Sequence, residues 1–282
     1  MKCMLILTDF SEAAYRAAEY GCELADSLGI KRIVLYHAYQ PVMAFAGTPD
    51  TVGINNDGQQ IYLESMEALG LLQDRLKPMI ENDVSIDLIA EDIALSGMVE
   101  LIKERSRKER IDIVVMGMSS KSGPEKLLLG STTTQILRKG EWPVLVVPEE
   151  TLLGKEIKTI VLTSDLKEVD PQSIRQLYEF LDALPGKLQV INVEEKEKYS
   201  PEMEKAIADL HKLLGKYDPA FNYINGDDIV EEVLRFAGSQ HASLIIAIHQ
   251  KHGFLSSLFH KSVTKQLAYN SNVPLLALPA FR

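Results

Sequence analysis

The sequence predicts an α/β protein built as two units in tandem, each a five-stranded parallel sheet with helices on both faces. Three observations predict it. Short apolar runs alternate with amphipathic stretches of helical period along the whole chain. The runs "IDIVVMG" and "WPVLVV" are almost wholly apolar, as strands buried on both faces must be. The pattern of the first half then returns in the second. Strand–helix alternation implies parallel pairing, because a parallel neighbour needs a long crossover and the helix supplies it.

In the first unit the patterns place strands at 2–8, 32–37, 84–90, 111–116 and 143–147. Helices fall at 11–28, 58–80, 95–108 and 131–139. The stretch "SEAAYRAAEYGCELADSLG" is typical: apolar positions recur at helical spacing, Ser11 caps the start and Gly29 the end.

The repeat fixes the domain division. "GSTTTQILRKGEWPVLVVPEE" matches "KSVTKQLAYNSNVPLLALPAF", with Ser131 against Ser262, Thr133 against Thr264, Gln135 against Gln266 and Pro143 against Pro274. "IDIVVMG" meets "ASLIIAI" at the same offset of 131. "CMLILTDFSEAA" resembles "KTIVLTSDLKEV", which sets Thr8 against Thr163 and leaves Asp165 one place from the equivalent of Asp9. "RIVLYHA" pairs with "LQVINVE" at an offset of 156. The expected domains are 1–150 and 151–282, divided near "PEETLLGKE".

Totals bound the function. A length of 282 residues suits two domains, at about 100–200 residues each. The net charge of -10 excludes the basic face of a nucleic-acid binder. Cys3 and Cys22 make no disulfide framework, and no stretch has the length of a membrane span, so no membrane and a cytoplasmic location are expected.

Doubly wound sheets bind ligands beyond the carboxyl ends of their strands, where strand order reverses. There, "VVMGMSSKSGPEKLLLGSTTTQIL" runs from a strand end through Gly117, Ser119, Ser120, Lys121 and Ser122 to Gly130 and Ser131 at a helix start. Hydroxyls, a lysine and free helix N–H groups suit an anion; the same residues also make an ordinary turn with a helix cap.

This stretch resembles the universal stress protein (UspA) family. The family signature is G-x2-G-x9-G-[ST] followed by the edge strand P-V-L-V-V. Gly117, Gly130 and Ser131 match its spacing, "WPVLVV" follows, and Ser120 stands where the signature has its second glycine. "ILTDFSEAA", "VLYHA" and "IDIVVMG" resemble the family's first, second and fourth strands. The resemblance implies a tandem of Rossmann-like, adenine nucleotide alpha-hydrolase-like domains. It also implies a site for an adenine nucleotide in the first copy: ATP, with or without magnesium, or AMP or ADP. Thr8 and Asp9 would meet adenine or ribose, Ala38 would line the adenine pocket with Met116 below it, and Gly117, Ser120, Gly130, Ser131 and Thr132 would hold the phosphates. Asp9 as a helix cap, Asp112 as a strand-start residue and His37 as a packing residue stay open beside these roles.

In the second copy Gly117 becomes Ile248, Ser120 becomes Lys251 and Gly130 becomes Lys261, so that site is read as degenerate. The strands and the Ser-Thr-Gln helix persist there without the glycines, which argues that the fold does not require them and favours a phosphate cradle. His249, His252 and His260 are read as loop histidines, and no metal site is expected. No nucleophile–base pair and no catalytic motif appears. The leading reading is a nucleotide-binding regulatory module of the stress response. The alternatives are a slow ATPase or adenylate-handling hydrolase, and a scaffold whose second domain binds another small molecule or protein. The segment "YQPVMAFAGTPDTVGINNDGQQ" is read as a lid or a partner loop. The apolar last strands of the two copies are expected to pair as an internal pseudo-dimer, with a homodimer of the whole chain also open.

Overall fold

A computed structural model describes residues 1–39, 57–81, 83–92, 100, 102–104, 110–118, 135–137, 141–164, 171–194, 201–248 and 273–279. The first half contributes strands β1 (Cys3–Leu7), β2 (Arg32–Tyr39), β3 (Ser85–Asp92), β4 (Ile113–Met118) and β5 (Val144–Pro148). The second contributes β6 (Thr159–Thr163), β7 (Lys187–Glu194), β8 (Ala220–Asn225), β9 (Leu244–Ile248) and β10 (Leu275–Leu278). The described helices are α1 (Glu12–Ala25), α2 (Asp57–Leu76), α3 (Pro171–Ala183), α4 (Pro201–Leu214) and α5 (Ile229–Ser239).

The strands form one ten-stranded sheet in the order β3-β2-β1-β4-β5-β10-β9-β6-β7-β8. The expected pair of five-stranded sheets is thus fused. Every pairing is parallel except β5 with β10, where Val146, Leu145 and Val144 face Leu275, Leu276 and Ala277 antiparallel. Each apolar last strand gives the other its missing partner, so neither is left as an open edge.

Strand residues point alternately to the two faces. Met4, Ile6, Leu145, Val147, Ile160, Leu162, Leu276 and Leu278 face one way and join a single core that crosses the seam, roofed by α1, α2 and α3. On the other face there are two cores, one around Leu5, Leu7, Val114, Met116 and Trp142, which Ala277 of β10 joins across the seam, and one around Val161, Ile191, Val233 and Ile245.

Ser11 caps α1 by accepting from the Ala14 N–H at 3.3 Å, and Gly29 follows with φ 64°. The α2 helix stops at Leu76, short of the expected residue 80, because Pro78 lies in a 3₁₀ turn at Lys77–Met79 that leaves the α path. Glu19 of α1 is 8% exposed and accepts from Arg75 of α2 at 2.6 and 2.9 Å.

The ladders also correct the sequence alignment of the halves. Met4 pairs with Ile113 as Ile160 pairs with Leu244, so β1 maps onto β6 at an offset of 156. Cys3 pairs with Arg32 as Thr159 pairs with Lys187, so β2 maps onto β7 at 155. The equivalent of Thr8 is therefore Ser164, not Thr163, and Asp165 follows it as Asp9 follows Thr8. The offset of 131 holds: Val114 pairs with Val144 and Ile245 with Leu275.

Candidate functional site

The strand order reverses at β1, which lies between β2 and β4. The carboxyl ends of these strands frame the crevice where such sheets take ligands. Thr8 and Asp9 leave β1 there, Ala38 lies near the end of β2, and Met116 and Gly117 lie near the end of β4.

The turn after β1 is tightly held. The Thr8 N–H donates to the Tyr36 carbonyl at 2.9 Å, and the Thr8 hydroxyl oxygen accepts from the Phe10 N–H at 3.0 Å. Thr8 itself is 6% exposed. Asp9 is exposed, and its Oδ1 accepts from both the Ser11 N–H at 3.0 Å and the Ser11 hydroxyl at 2.6 Å. This is an Asx-type turn. Asp9 is not the helix cap; it orients Ser11, which is. Phe10 sits between them at φ 61°, a left-handed conformation that costs a non-glycine residue energy.

His37, read from sequence as a packing residue, holds this turn from β2. Its Nδ1 lies 2.8 Å from the Thr8 carbonyl oxygen. A carbonyl only accepts, so Nδ1 carries the proton. The ring also packs on Phe10, centroids 4.4 Å apart.

Below the turn the floor is apolar. Met116 is 4% exposed, and Ala38 and Met118 pack against the same cluster. Close by, the Tyr36 hydroxyl donates to Glu91 Oε2 at 2.8 Å.

Gly117 has a packing role that its place in the motif conceals. A Cβ on it would collide with the Ala13 carbonyl and come within 2.7 Å of the Ala14 nitrogen. The first turn of α1 thus lies directly on Gly117. The fold does require this glycine in the first half, which corrects the argument made from its loss in the second. Gly117 is a condition for docking α1, and its being glycine is no separate sign of a phosphate.

Thr8, Asp9, Ala38, Met116 and Gly117 come together at one end of the sheet. Ser120, Gly130, Ser131 and Thr132 lie outside the described residues, as do the segment at 40–56, Asp165, Lys251, Lys261, His249, His252, His260 and the second Ser-Thr-Gln stretch. Asp112 lies at the opposite end: its Oδ2 accepts from the Lys2 and Cys3 N–H groups at 2.6 and 2.9 Å, the work of a strand-start residue. Among the described residues no helix is long and apolar enough to cross a membrane.

A model described as the Universal stress protein family matches residues 1–148, more than half of the chain. The chain belongs to the universal stress protein family. Two universal stress proteins of Methanocaldococcus jannaschii are each 28% identical to it over 52% of this chain, covering 81% and 94% of theirs. A universal stress protein of Thermus aquaticus is 26% identical over 52% of this chain and 98% of its own. Among solved structures, a universal stress protein from Archaeoglobus fulgidus superposes with a TM-score of 0.71 at 15% identity, over 99% of this chain and 96% of that one. At that identity the likeness shows the fold, and it shows it across both halves.

Proposed function

We propose that this universal stress protein binds one adenine nucleotide per chain, at the carboxyl ends of β1, β2 and β4, and acts as a regulatory module rather than a catalyst. The convergence of the Thr8–Asp9 turn, the Ala38–Met116 floor and the start of α1 at the strand-order reversal carries this reading. The floor suits the apolar faces of a purine, and the exposed Asp9 carboxylate suits ribose hydroxyls. On this reading Ser120, Gly130, Ser131 and Thr132 hold the phosphates, with ATP, alone or with magnesium, as the first ligand to test and AMP and ADP beside it. Residues 151–282 are a second unit of the same family without a nucleotide site, and the protein works in the cytoplasm.

Calorimetric titration of the intact chain with ATP and magnesium tests the reading; the expected result is one site. Gly130→Val should remove hydrogen bonds to charged oxygens worth about 3–6 kcal/mol for two, a loss of at least about a hundredfold in affinity. Lys261→Val should change little. Two equivalent sites, or full binding by Gly130→Val, would place the ligand elsewhere. Nucleotide recovered intact after long incubation supports the regulatory role, and steady release of phosphate would replace it with that of a slow ATPase.

A further inference from the structure

The two halves of the sheet make the same brace with different chemistry. In the first, His37 Nδ1 donates to the Thr8 carbonyl at 2.8 Å. In the second, Asn192 Nδ2 donates to the Ser164 carbonyl at 2.9 Å. The ladders make these equivalent positions, with His37 mapping onto Asn192 and Thr8 onto Ser164. The flanking backbone bonds match as well: the Thr8 N–H donates to the Tyr36 carbonyl, and the Ser164 N–H to the Ile191 carbonyl, both at 2.9 Å. Both donor nitrogens are bonded to Cγ of their side chains, so an imidazole and an amide reach one acceptor from one backbone position.

We propose that His37 is a positioning residue for the nucleotide site. It acts through the Thr8 carbonyl and the Phe10 ring to hold the turn that presents Asp9, and it does so as a hydrogen-bond donor rather than as an acid or base. The inference rests on the nucleotide reading above. The turn needs such a brace because Phe10 stands at φ 61°. A residue in that region stays only where its surroundings hold it, and the ring contact at 4.4 Å and the bond to Thr8 are two such holds. Asn192 is the natural control: it shows that a neutral amide performs the bridging part of this task in the same fold.

Three variants separate the parts. His37→Asn keeps the donor and loses the ring. His37→Phe keeps a ring and loses the donor. His37→Ala loses both. Backbone hydrogen exchange at Phe10 and Ser11, read by NMR without ligand, reports the turn directly. ATP titration reports the site. Loss of one hydrogen bond is worth about a factor of ten in either equilibrium. His37→Ala and His37→Phe should exchange about tenfold faster at these amides and bind ATP about tenfold more weakly. His37→Asn should stay within about threefold of the parent in both. Asn192→Ala should remove the bond to the Ser164 carbonyl and leave ATP affinity unchanged. Unchanged exchange in His37→Ala, or equal losses in His37→Asn and His37→Ala, would overturn the brace. Faster exchange with unchanged affinity would overturn the positioning role. A parent protein that binds no adenine nucleotide would overturn the functional reading instead, while the exchange measurements still decide whether the brace exists.

Discussion

The helix α1 and its counterpart α3 lie on the same face of one sheet, yet they seat differently. The ladder offset of 156 carries through both helices: Ala17, Leu24 and Ala25 are buried in one, Ser173, Phe180 and Leu181 in the other, and Leu28 and Leu184 are buried just past their ends. Two positions set them apart. Gly21 of α1 faces the sheet, where a Cβ would come within 3.2 Å of Met4 Sδ; its equivalent is Leu177, which is 1% exposed. Gly117 of β4 faces α1; its equivalent is Ile248, partly buried in the shared core. The first half thus has a glycine on each side of the helix–sheet contact, and the second has a branched side chain on each. Accordingly α1 packs along β1, β4 and β5, whereas α3, described from Pro171, has its main strand contact with β10. Close seating brings the first turn of α1 onto the end of β4, beside the crevice that carries the candidate site. The second half keeps the same strand order with neither glycine.

The seam offers the largest way to test how far the halves depend on each other. Leu276 is 1% exposed between Leu145 and Ile246. Leu276→Asp should bury a charge without a partner and cost about 3–5 kcal/mol, read as a fall in the urea midpoint of the whole chain. Loss confined to the second half would show that the halves hold independently. The next effect is at Gly117. Gly117→Ala puts a methyl group on helix backbone that has nowhere to go, so the cost lies at the upper end of overpacking, about 3 kcal/mol. Ile248→Ala should cost only about 1 kcal/mol, since it trims a partly buried side chain. Similar costs at the two sites would dissolve the contrast between α1 and α3.

A smaller effect comes from Cys22, whose position in α3 is taken by Tyr178. Burial first, then Glu19 and Glu23, push the Cys22 thiol up to about 12. The folded chain therefore keeps a proton that the unfolded chain gives up above pH 9.0. Stability should fall as pH rises from there, by up to about 1.4 kcal/mol over the first unit, and Cys22→Ala should flatten that part of the profile. An unchanged slope would assign the alkaline loss elsewhere. The smallest effect is at Glu19→Gln, which weakens the tie to Arg75 and should cost about 1 kcal/mol in a thermal melt. Its counterpart in α3 is Arg175, which is exposed, so Arg175→Gln should be neutral.

The strands were legible because their burial is nearly complete: "IDIVVMG" and "WPVLVV" have no other use in a chain of this composition. The seam was legible too, since an apolar last strand in each copy calls for cover. The register between copies was misread by one place. "LT" occurs in both first strands, and aligning those letters set Thr8 against Thr163; a one-residue slip leaves an apolar run looking unchanged, and only the ladder distinguishes the two. A second slip, one place the other way, hid His37: pairing "RIVLYHA" with "LQVINVE" at 156 set it against Val193, whereas the ladder sets it against Asn192, which donates to the equivalent carbonyl. The role of Gly117 could not be read from spacing at all. It depends on Ala13, more than a hundred residues away along the chain, meeting it in space.

The antiparallel seam also sets a clock during synthesis. More than 120 residues separate the end of β5 at Pro148 from the start of β10 at Leu275. At about 5–20 residues per second, the ribosome needs on the order of 6–25 s to deliver the strand that covers β5. Throughout that interval the first half can complete its parallel strands while Val144–Val147 remains an unpaired apolar edge, able to accept the same strand from a neighbouring nascent chain. The edge is closed only when β10 arrives to pair antiparallel with it, so the last strand made is the one that completes the sheet.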